Sequence, residues 1–516
     1  MKKKSNSSTI LSVALLIAAI VLLVVTGHLN ILLAIFMIGV VICFHEFGHF
    51  LIARLNGVTV KEFSLGLGPR LLSWKMLGTR WSLKLLPFGG SCLMLDDGEL
   101  AAFEEEETEE DPEEESPKEE DGSSPEVEEN ADAGTSADEE TIGKTKKAGL
   151  KEDPENGSFA SKNVWQRISI IFAGPFFNFL LAFLLACIIL GSIGYDPSEV
   201  RAVSDEVADQ TGLEAGDIIT SYQGHSIMTG RDLALYESLD GVPRTISITY
   251  ERDGKSYSKT YDALFIQKYL CGISYTEYRE GTIVPMTLEG VTGAAEEAGL
   301  KKGDIVVRFN GVEINTATDF RNYVEEHPIG EDPVEFVISR DGVEQTVRLT
   351  PKLTEEYQFG FDYNTNSRKK VGALGVIRYG VHEVGYWIKA TVKSLGYMLR
   401  GKASRKDVGG AVRVVSEMSD VVEDSYKTDG AFYVFLNLIN WAILLSANLG
   451  VMNLLPIPAL DGGRLLFLFV EAIRGKKVNP KVEATVTMIG FMLLMILMIF
   501  ILFNDISNVF GMILPR

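Results

Sequence analysis

The sequence predicts a polytopic α-helical membrane protein that carries two small β-rich domains outside the cytoplasm. Three observations lead there. Long apolar runs without charge recur along the chain. Basic residues gather in the short loops on one side of those runs. A Gly-punctuated, strand-patterned segment occurs twice between them.

The first run, Ser5 to Phe44, contains no Asp, Glu, Lys or Arg. One span needs about 20 apolar residues. The run is therefore read as two helices, Ile10 to Val25 and Ile31 to Arg54, broken at Thr26-Gly27-His28-Leu29-Asn30. Lys2, Lys3 and Lys4 also suit a signal peptide, but no convincing small-residue cleavage site follows. Uncharged stretches recur at Ile168 to Tyr195, Ala431 to Leu460 and Ala484 to Asn504, which makes five spans. Tyr379 to Leu399 is apolar and aromatic but holds Glu383, Lys389 and Lys393. It reads as a helix lying at the interface, within an amphipathic segment at 376–430.

Lysine and arginine in short loops mark the cytoplasmic side. They cluster at the N-terminus, in Arg54 to Lys84 (Arg54, Lys61, Arg70, Lys75, Arg80, Lys84) and after the fourth span (Arg464, Arg474, Lys476, Lys477, Lys481). With five spans all three clusters fall on one side. The stretch from 196 to 430 then lies outside.

The chain of 516 residues has a net charge of -21, yet Asp96 to Glu140 alone holds 23 acidic residues against Lys118. The remainder is nearly neutral, so no basic surface points to a nucleic-acid partner. The acidic run is poor in aromatic and β-branched residues and is expected to be a disordered insert, 96–160. Cys43, Cys92, Cys187 and Cys271 share no short spacing and suggest neither a disulfide framework nor a thiolate site.

The external repeat reads Gly212-Leu213-Glu214-Ala215-Gly216-Asp217-Ile218-Ile219 and, 87 residues on, Gly299-Leu300-Lys301-Lys302-Gly303-Asp304-Ile305-Val306. Each copy ends in a hairpin turn, Arg252-Asp253-Gly254 or Arg340-Asp341-Gly342, between alternating strand-like residues. The pattern resembles PDZ domains of the bacterial protease type, at 196–265 and 279–352. Such domains take peptides or termini by strand addition; here they would either recognise substrates or act as bulky gates.

The second helix ends in Phe44-His45-Glu46-Phe47-Gly48-His49. His45 and His49, four apart, share a helical face and can reach one zinc ion. Glu46 adjoins that face and is placed to take a proton from an attacking water. Ionisable groups in an apolar span are costly and commonly functional; the bland reading is a pair of satisfied membrane histidines or a structural zinc site. Two histidines need a third ligand. His28, His225, His327 and His382 stand alone. Asp461 is the best candidate, in Asn453-Leu454-Leu455-Pro456-Ile457-Pro458-Ala459-Leu460-Asp461-Gly462-Gly463, where two prolines break the helix at the depth of His45. Its bland reading is an ordinary helix cap.

Together these motifs resemble the site-2 protease family of intramembrane zinc metalloproteases, most of all the bacterial regulators of sigma-E type. The resemblance implies a metalloprotease core with Zn held by His45, His49 and Asp461, and Glu46 as the catalytic acid–base. It implies that Asn453 holds the substrate backbone and that Gly66 and Gly68, in a membrane-associated β-hairpin, line the substrate path. Phe172-Ala173-Gly174-Pro175-Phe176-Phe177-Asn178-Phe179 resembles the start of the central helix, where Ala173 and Gly174 allow close helix contact and Asn178 needs a polar partner. The implied partners are the lipid bilayer, transmembrane peptide substrates such as anti-sigma factors, and a separate site-1 protease acting first. Clearance of signal-peptide remnants is the alternative activity, and a non-catalytic PDZ scaffold a remoter one. The implied location is the bacterial plasma membrane, with the site near its cytoplasmic side. The expected layout is an extra helix (1–30), a catalytic helix and hairpin (31–95), the insert, a core helix (161–195), the external pair, the 376–430 segment, a helix with the Leu-Asp-Gly motif (431–482) and a last helix (483–516).

Overall fold

The computed structural model describes residues 29–95, 157–275, 284–365, 367–401, 409–428 and 430–513. The expected first helix and nearly all of the acidic insert lie outside these residues. The chain divides into two units, one formed by the parts before Ile193 and after Val371, the other by Ile193–Val371.

The first unit is helical. Its helices are α1 (Leu29–Leu55), α2 (Val164–Ile193), α3 (Ala373–Leu399), α4 (Ala411–Thr428), α5 (Ala431–Leu454), α6 (Asp461–Arg474) and α7 (Pro480–Ile513). Among the described residues four helices are long and apolar enough to cross a membrane: Asn30–Leu55, Val164–Ile193, Ala431–Leu454 and Lys481–Phe503. This is a multi-pass membrane protein. Helices satisfy every interior backbone group internally, which hydrocarbon demands. The last of them exposes Met488, Ile489, Phe491, Leu493, Ile496 and Phe503, side chains suited to lipid rather than water.

Small residues bring α1, α2 and α5 together. A Cβ on Gly48 would lie 2.4 Å from the Ala173 carbonyl oxygen, so α1 and α2 touch backbone to backbone. Gly450 of α5 leaves room for the Phe179 ring, whose nearest atom would stand 2.8 Å from an added Cβ. Val41, Leu181 and Ala442 close the seam among the three helices. At the other end of α2, buried Arg167 pairs with Glu471 of α6.

After α1 the chain forms β1 (Val60–Met76) and β2 (Thr79–Met94). A hairpin is expected from the sequence; the pairing is richer. Phe63 pairs with both Cys92 and Trp81, and Trp74 pairs with Trp81 as well. Each strand is bent, so four segments lie side by side in the order 90–94, 60–65, 80–84, 72–76. The bends fall at Gly66 and Gly68 (φ 91° and 88°) and at Gly89 (φ 92°), values that a side chain would make costly.

The second unit holds two β-rich domains. The first has a four-stranded sheet spanning Ile218–Asp262 and a core of Val207, Leu213, Ile219, Ile248 and Tyr261. The second repeats this over Ile305–Leu349 around Phe309, Phe320 and Phe336. The repeated motif has a structural reason. In the first copy Arg252 of the hairpin turn donates two hydrogen bonds of 2.7 Å to the buried Asp217. In the second Arg340 does the same to Asp304, also at 2.7 Å. The first core extends further than its repeat: Phe359 and Phe361 belong to it, and Phe361–Tyr363 pairs with Val200–Val203. The second domain is thus inserted into the first, through the ribbon Leu264–Leu270 with Lys352–Gln358.

Candidate metal centre

α1 carries His45 and His49 one turn apart, both about 6% exposed. Asp461 reaches them from the first turn of α6. The loop before α6 explains its aim. Ala459 takes a left-handed φ of 78°, which reverses the chain after Pro456 and Pro458. Gly462 and Gly463 let the loop fold onto the helix start, since added Cβ atoms would lie 2.2 Å from the Leu455 oxygen and 2.5 Å from the Ile457 oxygen.

Three atoms converge. His45 Nε2 and His49 Nε2 are 3.3 Å apart. Asp461 Oδ2 stands 3.2 Å from the first and 3.3 Å from the second. Tetrahedral zinc with ligand bonds of about 2.0–2.1 Å has ligand–ligand edges of about 3.3–3.4 Å. The triangle therefore has the dimensions of one face of a zinc tetrahedron. Asp461 Oδ2 is buried and has no hydrogen-bond partner, as expected of a carboxylate oxygen reserved for a cation. The donor set of two imidazoles and one carboxylate leaves a fourth position for water or substrate.

The surroundings orient the ligands. His49 Nδ1 lies 2.9 Å from the Ile170 carbonyl oxygen of α2; donation there leaves the Nε2 lone pair for metal. His45 Nδ1 lies 3.1 Å from the Asn178 amide, and Ser446 of α5 donates a 2.8 Å hydrogen bond to the Asn178 carbonyl oxygen. Gly174 is the floor of the site: a Cβ there would lie 2.2 Å from His49 Nε2 and 2.7 Å from His45 Cε1.

Of the residues singled out from sequence, His45, His49 and Asp461 meet at one point. Glu46 follows His45 on α1, and β2 passes directly over it; a Cβ on Gly90 would lie 2.7 Å from Glu46 Cγ. Asn453 brings its amide nitrogen to 3.3 Å from His45 Nε2. Gly66 and Gly68 sit at the bend of β1, and their positive φ accounts for glycine there. Sequence reasoning gave Gly174 only a helix-packing role and missed Gly90 and Ser446. No local pattern marks them, because the contacts that matter, Gly90 with Glu46 and Ser446 with Asn178, join distant segments of the chain.

A histidine pair and an aspartate spaced to hold zinc, among helices of membrane length, define a membrane protein with a metal centre. Comparison with known proteins narrows the class. The profile described as peptidase family M50 matches residues 33–497. Zinc metalloprotease RasP of Bacillus licheniformis is 30% identical over 510 residues, covering 92% of this chain and 98% of that protein. Zinc metalloprotease RasP of Geobacillus kaustophilus is 29% identical, over 92% and 96% of the two chains. The regulator of sigma-W protease RasP of Bacillus subtilis is 27% identical, over 92% and 98%. The chain belongs to peptidase family M50, the site-2 zinc metalloproteases that cut membrane-embedded substrates after a first cleavage.

Proposed function

We propose that this protease cuts single-span membrane proteins already trimmed on the outer side, anti-sigma factors foremost, with Glu46 as its general base. The observation that carries this reading is the metal triangle beside Glu46, roofed by the strand at Gly90. His45, His49 and Asp461 would hold the zinc, which would supply Lewis acidity toward the peptide carbonyl and lower the pKa of water.

The chain's own groups do the rest. Glu46 accepts the proton of the attacking water and returns it to the leaving amine. A helical substrate has no free backbone, so it must unwind before it is cut. Residues 90–94 form the outermost segment of the bent sheet, and among the described residues no strand pairs with their outer edge. An extended substrate adding there would lie over Glu46, with its backbone bonded by the strand. Asn453, half-buried beside His45, supplies an amide for a substrate peptide group. Gly66 and Gly68 serve this path by bending β1 rather than by side-chain contact.

The two β-rich domains of Ile193–Val371 are taken as PDZ-like and extracytoplasmic, with the zinc site near the cytoplasmic face; the loop lysines and arginines support that orientation. The regulation printed in the name of the Bacillus subtilis relative supports the anti-sigma assignment. The experiment is capture of membrane peptides on Glu46→Gln protein in cells, followed by mass spectrometry. Trimmed anti-sigma fragments are expected. Recovery of signal-peptide remnants alone would replace this substrate class with remnant clearance.

A further inference from the structure

Asn178 is fully buried in α2, in contact with a metal ligand, and its amide is only half used. Its nitrogen lies 3.1 Å from His45 Nδ1. Its Oδ1 is buried without a hydrogen-bond partner. The Ser446 hydroxyl, itself buried, holds the Asn178 backbone oxygen at 2.8 Å and so ties the residue to α5.

His45 Nε2 faces Asp461 and His49. To bind zinc there, a neutral imidazole must carry its proton on Nδ1, and a buried Nδ1–H needs an acceptor. Within hydrogen-bonding distance of Nδ1 lie the side-chain amides of Asn178, at 3.1 Å, and Asn453, at 3.5 Å. An amide nitrogen aimed at Nδ1 stabilises the opposite tautomer, with the proton on Nε2 and no lone pair for metal. Turning the Asn178 amide by half a turn about its last bond presents Oδ1 instead. Because Oδ1 has no partner in its present direction, the turn breaks no bond that the oxygen makes. The two ends of a side-chain amide are near-isosteric, so packing permits either.

We propose that Asn178 is a positioning residue for zinc: its Oδ1 accepts the proton of His45 Nδ1 when metal binds, selecting the tautomer that ligates and fixing the ring against α2. The His49 ring has a backbone oxygen, that of Ile170, for the same task. His45, one turn earlier on α1, meets the side chain of Asn178 instead. Outer acceptors of this kind change metal affinity by about 10–100-fold. The inference rests on the metal-site reading above, and its test keeps the two apart.

The test uses the purified full-length protein in detergent and measures zinc affinity by chelator competition, together with the visible spectrum of the cobalt-substituted form. Wild type should bind one metal per chain with a tetrahedral cobalt spectrum; failure here would sink the metal site itself. Asn178→Leu should bind about 10–100-fold more weakly, with a weakened or shifted cobalt band. Asn178→Asp, which offers acceptors at both ends, should bind within about threefold of wild type. Thermal unfolding of the metal-free proteins guards against misfolding, and the Asn178→Asp result stands even where Asn178→Leu does not fold. Unchanged affinity and spectrum in Asn178→Leu would overturn the proposal. So would Asn178→Asp protein that folds as wild type but binds zinc more than about tenfold more weakly, which would mark the amide nitrogen as the working end.

Discussion

Gly174→Ala adds one methyl group and should weaken metal binding severely. The new Cβ would lie 2.2 Å from His49 Nε2, 2.6 Å from His49 Cε1 and 2.7 Å from His45 Cε1. Ordinary carbon contacts are about 3.5–4.0 Å, so the His49 ring must retreat by more than about 1 Å. It is not free to do so cheaply. Its Nδ1 is engaged by the Ile170 oxygen at 2.9 Å, and the ring is buried. A retreat breaks that hydrogen bond and enlarges triangle edges that now measure 3.2 and 3.3 Å. Displacement of α2 instead would open the contact between Gly48 and the Ala173 oxygen. Either route removes a ligand from its position, and the expected loss is at least about 100-fold in zinc affinity, or about 2.7 kcal/mol. The assay is chelator competition on the detergent-solubilised protein, with cleavage of a trimmed substrate as second readout. Gly39→Ala, on α1 with no atom within 4 Å of the added Cβ, is the control and should stay within about twofold. Gly174→Ala protein with the zinc affinity and turnover of wild type would refute the geometry.

Gly90→Ala presses on the Glu46 side chain without touching a ligand; kcat should fall at least about tenfold with zinc content unchanged, and a drop in zinc content would contradict the separation of base from ligands. Arg340→Ala leaves Asp304, about 1% exposed, without its two 2.7 Å donors; breaking a buried pair costs about 3–5 kcal/mol, seen as early protease nicking between 305 and 349 while zinc binding persists. Burial works against the Glu62 carboxylate, but Arg70, at 2.8 Å, holds its pKa below the ordinary value. A lowered folded pKa adds stability above the unfolded value, about 4, and loses it as pH falls through the folded one. Arg70→Gln should therefore lower the thermal midpoint at neutral pH, and the gap from wild type should close in acid. Excision of residues 195–369 is feasible because Tyr195 and Lys369 hydrogen-bond to each other, at 3.0 and 2.8 Å, where the chain enters and leaves this unit. The shortened protease should cut untrimmed substrates and keep trimmed-substrate turnover within about tenfold; untrimmed substrate left intact beside normal processing of trimmed substrate would show that these domains do not gate.

Much of this protein was legible as a string of letters, and the reason is locality. Hydrocarbon demands unbroken apolar helices, so spans announce themselves as uncharged runs, and α1, α2, α5 and α7 fall where the runs do. The four-residue step between His45 and His49 is a property of one helical turn. The Gly-Asp and Arg-Asp-Gly repeats recur because each copy folds around its own ion pair. Asp461 could be found because a broken helix with a lone carboxylate is costly in a membrane. Other features depend on which elements meet, which no single window of sequence encodes. The doubled pairing of β1 and β2 follows from bends at three glycines and the stacking of four segments. The claim of the first β domain on Phe359 and Phe361 arises because its last strand returns only after the second domain is complete. Gly174 under the histidines, Gly90 over Glu46 and Asn178 beside His45 are ordinary residues until α2 and β2 close around α1. Their importance is steric and directional, measured in tenths of an ångström, and only the closed packing of distant segments sets distances that fine.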